Sequence, residues 1–217
     1  MRKKLTVNIL YKELLQHFGR QYWWPGDTRE EIIIGAVLTQ NTNWGNVEKA
    51  INNLKRNNCL TLGEIVKLNR KKLAEFIKPS GYFNIKAKRL MCVAEFFVNS
   101  FDYDLKKWEK IDTFKIRKQL LEVKGVGEET ADSILNYAFD KKIFVVDAYT
   151  KRLNFRHMLT DDNADYGELQ KFFSDNLKGD IEDFKELHAL IVMLGKNYCR
   201  PKPRCEFCPL NKYYKDI

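Results

Sequence analysis

Three short stretches of this chain bring together residue types and spacings that can do chemistry. The first, KGVG (124–127), sets two glycines one residue apart between the helical run 113–122 and a second run opening at Glu128. It is too short for a Walker loop, which needs a lysine and a hydroxyl residue directly after its glycines. It also lacks the strand and third glycine of a dinucleotide-binding turn. It fits a tight hairpin between two helices, closed by glycines that allow positive φ. The bare N–H groups of such a turn, with the N-terminus of the next helix, form an anion seat that needs no side chain. Glu128 and Glu129 then complement the helix dipole. The plainer reading is a glycine-terminated αα corner. The second stretch, KIFVVD (142–147), ends an apolar run on Asp147, just before a helical segment, where a carboxylate caps the first free N–H groups. The third, CRPKPRCEFCPL, spaces Cys199, Cys205 and Cys208 as C-x5-C-x2-C ahead of Pro209, a thiolate pattern suited to metal. Cys59 and Cys92 lie far upstream and read as ordinary thiols.

The elements that must position these residues are helices. Val47, Ala50, Ile51 and Leu54 fall at i, i+3, i+4, i+7, as do Ala87, Leu90, Met91 and Ala94. Shorter stripes run through Leu73, Phe76 and Ile77, through Tyr166, Leu169, Phe172 and Phe173, and through Phe184, Leu187, Ile191 and Leu194. WWPGDT, KPSGYFN, KGVG and TDDNADYG break the pattern with turn and cap chemistry. KIFVVD is the one strand-like run and has no partner strand, so it reads as an extended connector. The expectation is an all-α fold of about ten short helices. A chain of 217 residues, 44% hydrophobic and 31% charged, has ample core for one large domain or two small ones. Its apolar runs are too short to span a bilayer, and the N-terminus lacks a signal-peptide pattern, which places the protein in the cytoplasm with reduced or metal-bound cysteines. A net charge of +9 suits either lysine-rich solubility or a polyanionic partner.

LEVKGVGEETADSIL resembles the helix-hairpin-helix motif of the endonuclease III family of DNA glycosylases, and FVVDAYTKRL resembles the segment carrying that family's catalytic aspartate. IIGAVLTQNTNW and PSGYFNIKAKRL resemble two of its DNA-facing segments, and the match runs in order from about Trp23 to Cys208. The resemblance implies two all-α lobes, a helical barrel over 26–139 with the hairpin at 113–139, and a second lobe from 1–25 plus 140–217. It implies a monomer acting on double-stranded DNA that contains a damaged base. Gln40, Tyr82, Lys124, Gly125, Val126, Gly127 and Thr130 become the DNA-binding residues, with Gln40 filling the space left by a flipped base. Asp147 becomes the catalytic carboxylate, stabilising the cationic sugar and orienting water.

Bifunctional relatives carry a lysine nucleophile two residues after the second glycine of the hairpin, where this chain has Glu129. That implies a monofunctional enzyme leaving an abasic site in an intact strand. The alternatives are a bifunctional glycosylase acting on oxidised pyrimidines and a non-catalytic DNA-binding protein. Trp23, Trp24 and Trp44 resemble the base pocket of the 3-methyladenine glycosylase branch, where cation–π attraction favours an alkylated purine; the alternative for each is a core tryptophan. His188 sits on an apolar stripe and reads as a packed histidine, while His157 and His17 have no partner visible in the sequence. Family members hold a [4Fe–4S] cluster with four thiolates, the fourth about six residues after the third, where this chain has Tyr214. Three readings of the cysteines stand: a cluster with three thiolates and one other ligand, zinc with a non-cysteine fourth ligand, or no metal. In each, RPKPR is a basic loop suited to a DNA phosphate.

Overall fold

The computed structural model describes residues 4–161 and 163–213, so Tyr214 and Asp162 lie outside the described residues. The described residues form helices and no strand, and the chain divides into two compact units, Pro25–Lys141 and Met1–Trp24 with Lys142–Ile217.

The continuous unit contains α2 (Arg29–Leu38), α3 (Trp44–Arg56), α4 (Leu62–Lys67), α5 (Arg70–Phe76), α6 (Phe83–Val98), α7 (Thr113–Glu122) and α8 (Glu128–Ser133). Thr28, Asn43, Thr61, Asn69 and Asp112 each start a helix by accepting a backbone N–H on the side chain, which satisfies a donor the helix cannot. The central helix α6 receives α4, α5 and α2. Its stripe Ala87, Leu90 and Ala94 is fully buried, as are Val47, Ala50 and Leu54 on α3. Each such aliphatic side chain contributes about 1.5–3 kcal/mol. After α8 the backbone widens into a π-helical turn, Ile134–Ala138, whose buried side chains pack on α2.

The split unit contains α1 (Val7–Phe18), α9 (Ala148–His157), α10 (Tyr166–Asn176) and α11 (Ile181–Asn197). Its core joins Leu10 and Leu14 of α1 to Leu153, Phe173, Leu187, Leu190 and Leu194. The segment 142–147 is extended and forms no strand, as its isolation in the sequence implies. Its backbone is served by side chains: Gln170 donates to the Phe144 carbonyl at 2.7 Å, and the Val146 N–H donates to the Tyr166 hydroxyl at 3.3 Å. Phe144 stacks on Phe173 with ring centroids 4.6 Å apart. This connector delivers Asp147 to the first turn of α9.

Candidate active site and cysteine pocket

Asp147 caps α9. Its Oδ1 accepts the Thr150 N–H at 2.8 Å and the Thr150 hydroxyl at 3.0 Å, and the residue is 8% exposed. Its other oxygen, Oδ2, lies 3.6 Å from His188 Nε2, too far for a hydrogen bond but close enough for electrostatic attraction. Burial opposes ionisation of this carboxyl. The His188 imidazole and the two Thr150 donors outweigh that and hold it below the usual carboxylate range, so it is charged at neutral pH. One oxygen of this side chain caps the helix and the other faces a histidine.

His188 is buried, as its stripe implies, yet it is turned to Asp147, a relation the apolar stripe conceals. Helices α9 and α11 approach closely at Gly195, where a Cβ would lie 2.1 Å from Tyr149 Cδ1. Two turns beyond His188, Lys196 holds its ammonium 5.3 Å from the centre of the Trp23 ring. Burial pushes Lys196 below the ordinary lysine value while Asp147 partly restores it. The approach to Trp23 is fixed by buried Glu186, whose Oε1 accepts the Gln21 N–H at 2.6 Å. Trp23 and Trp24 are half-buried, meeting edge to face with centroids 6.0 Å apart, so neither is a core tryptophan. That role belongs to Trp108, at 1% exposure.

In the other unit the hairpin joins α7 to α8 through a turn closed by Val126 N–H to Val123 O at 3.0 Å. Gly125 has φ +95°, and an added Cβ would sit 2.3 Å from Arg89 Cγ, so only glycine fits. Gly127 differs from the expectation of two left-handed glycines. Its φ is −101°, and nothing lies within 4 Å of where a Cβ would point. No described residue requires glycine there, and the space beside it is open. The two helices are clamped by Arg117, which donates to buried Asp132 at 2.7 and 3.1 Å and to Glu128 at 3.2 Å. Lys124 and Glu129 are exposed, whereas Val126 and Thr130 are buried.

Gln40 lies two residues beyond the end of α2, and Trp44 opens the next helix, so a turn separates them. Gln40 donates to the Gly125 carbonyl at 3.0 Å and the Thr130 hydroxyl at 2.9 Å, and it accepts from Arg89 at 2.5 Å. Trp44 is half-buried. Tyr82 is 69% exposed, with φ 45° in the left-handed region that non-glycine residues seldom occupy. Buried Lys86 anchors the backbone on both sides of this surface, donating to Leu38 O at 2.8 Å and Ser80 O at 2.6 Å. Burial, with help from Arg89, lowers its ammonium to about 8.

Cys199, Cys205 and Cys208 line one small pocket with Arg156, His157 and Leu210. Arg156 Nη1 donates to Cys199 Sγ at 3.2 Å, and Arg152 Nε to the Cys199 carbonyl at 2.6 Å. Burial pushes the Cys208 thiol up to about 11, the Leu210 N–H opposes this, and Cys199 and Cys205 add to it. A thiol raised in this way becomes a thiolate only with a cation beside it. Among the described residues no three His, Cys, Asp or Glu side chains converge closely enough to grip one metal ion. The three thiols and the His157 imidazole that line this one pocket are donor types that iron–sulfur clusters use. Burial and Arg156 lower His157, against its hydrogen bond to the Tyr213 backbone.

Residues 34–178 match the model of the HhH-GPD superfamily of base excision DNA repair proteins. The chain belongs to this superfamily and is a DNA-binding glycosylase of base excision repair. It is 48% identical over 206 residues to a Methanocaldococcus jannaschii protein named "Putative DNA repair glycosylase MJ1434", covering 94% of this chain and 93% of that one. Endonuclease III of Sulfolobus acidocaldarius is 29% identical, covering 88% and 84%. Among solved structures, the Helicobacter pylori 3-methyladenine DNA glycosylase MagIII, bound to 1,N6-ethenoadenine, superposes with a TM-score of 0.75 at 31% identity, over 88% of this chain and 98% of that one. A trapped endonuclease III–DNA covalent intermediate shares the fold, with a TM-score of 0.81 at 19% identity over 95% and 92% of the two chains.

Proposed function

We propose that the protein is a monofunctional glycosylase that flips a damaged base from duplex DNA and hydrolyses its N-glycosidic bond with water oriented by Asp147. The observation that carries this is the state of Asp147: buried, ionised, fixed through one oxygen by Thr150 and leaving the other beside His188. As the bond from base to C1′ lengthens, positive charge grows on the sugar. A carboxylate held in place stabilises that charge without reorganising. Water adds its oxygen to C1′, and its proton goes through Asp147 to solvent or to the departing base. No protein nucleophile is needed, consistent with Glu129 at the hairpin position where bifunctional relatives have lysine. We take Gly125, Val126, Gly127 and Lys124 to receive the DNA backbone, with the open space at Gly127 admitting a phosphate. In this reading Gln40 leaves its bonds to Gly125 and Thr130 when it enters the duplex, and exposed Tyr82 is wedged against the opposite strand.

We take Trp23, Trp24 and Trp44 as aromatic contacts for the base, and the base as an alkylated purine, for which the likeness to MagIII speaks. One observation favours a second reading, that the base is neutral: Lys196 already lies over the Trp23 ring and would repel a cationic base. A panel of duplexes with alkylated, ethenylated, oxidised and deaminated bases, run with borohydride present, tests both. Base release without a trapped adduct supports hydrolysis by water. An adduct forming as fast as the base leaves would overturn it.

We also assign Cys199, Cys205 and Cys208 to a [4Fe–4S] cluster. Such a cluster, bound by thiolates, supplies a covalent tie between a loop and its neighbours, together with a redox centre. Here the tie would join 199–208 to α9, whose arginines already hold Cys199.

A further inference from the structure

Three thiolates leave one iron of a four-iron cluster without a protein ligand. We propose that His157 is that ligand, giving the chain a Cys3His cluster; this rests on the cluster assignment above. His157 ends α9, is 8% exposed, and lines the same cavity as all three cysteines. Met158 follows in the left-handed conformation, so the helix stops at the pocket wall. The ring is hydrogen-bonded to the Tyr213 backbone, the kind of outer contact that fixes the orientation of a ligating imidazole. Helix α9 already reaches the cysteine loop through Arg152 at the Cys199 carbonyl, Arg156 at the Cys199 sulfur, and Arg156 at the Pro201 carbonyl at 3.2 Å. A histidine on its last turn is therefore carried to the donor set by an element fixed against it.

Electrostatics points the same way. A neutral imidazole in place of a fourth thiolate removes one negative charge from the ligand shell. Arg156, donating to Cys199 Sγ, offsets part of what remains. Imidazole ligation also raises reduction potential relative to all-thiolate ligation, as in Rieske centres.

The test uses the full chain purified without oxygen. Iron and acid-labile sulfide are counted, and pulsed electron paramagnetic resonance is recorded on the reduced protein. Wild type should hold four irons and four sulfides and show the strong nitrogen coupling of a directly bound imidazole. His157→Cys should keep the iron and sulfide, lose that coupling and shift the potential downward. His157→Ala should lose iron or retain a three-iron centre. A loaded wild type without directly bound nitrogen, or a His157→Ala protein with an unchanged spectrum, overturns the histidine assignment and leaves the cluster standing. Wild type with no iron and sulfide, or with one zinc per chain, overturns the cluster reading and this inference with it.

Discussion

Replacing Asp147 by Asn separates the two tasks of that side chain. Asparagine caps helices about as well as aspartate, so its Oδ1 can keep the bonds from the Thr150 N–H and hydroxyl, now at 2.8 and 3.0 Å. Melting temperature near neutral pH should move by no more than a few degrees. The charge is gone, however. A carboxylate in contact with a sugar cation, at roughly 4 Å and an effective dielectric constant of about 20, is worth about 4 kcal/mol. That corresponds to about a thousandfold in rate. Single-turnover base release should therefore fall about a thousandfold while affinity for undamaged duplex stays within about twofold, since the proposed phosphate contacts lie elsewhere. The pH dependence supplies a second readout. Asp147 titrates below the usual carboxylate range in the folded protein, so its contribution to stability is complete above the unfolded value of about 3.9 and is lost as pH falls through the folded value. The wild-type acid limb should disappear from stability and from base release in Asp147→Asn. Base release by the variant at the wild-type rate would refute the reasoning and leave Asp147 as a helix cap alone.

Gly125→Ala should cost about 1–3 kcal/mol in chemical denaturation, because alanine meets both a left-handed φ and the Arg89 side chain. Gly127→Ala, with ordinary φ and open space, should leave stability nearly unchanged yet weaken duplex binding; unchanged binding would remove the phosphate from that place. Trp44→Ala should weaken the damaged-base complex by about 1–3 kcal/mol, with little effect on undamaged DNA. An equal loss on both DNAs would make its role structural. Arg117→Ala leaves Asp132 buried without its guanidinium and should destabilise the fold by about 3–5 kcal/mol in urea melts, more than Glu128→Ala on the exposed arm of the same clamp.

Much of the fold was legible because it depends on local pattern. The stripes on α3 and α11 are buried faces, as is that on α6 except for half-buried Met91, and Thr28, Asn43, Asp112 and Asp147 start the helices they cap. These are contacts within a few residues of one another, which spacing alone encodes. The hairpin was visible for the same reason, since two glycines end one helix and open the next.

What the sequence could not reveal depends on residues far apart along the chain. His188 lies 41 positions from Asp147, and its place on an apolar stripe concealed that it turns to the carboxylate. Lys196 over Trp23, Arg89 on Gln40 and Lys86 between two loop carbonyls are ordinary charges on a helical pattern until packing brings their partners to them. The glycines divide in the same way. Sequence marks Gly125 and Gly127 alike, but only the fold decides that Arg89 crowds the first and nothing crowds the second. The C-x5-C-x2-C spacing by itself marks three thiols, and the fold lines them along one pocket. That His157 shares its cavity follows from where α9 ends against the 199–208 loop, a matter of helix packing that no local motif carries.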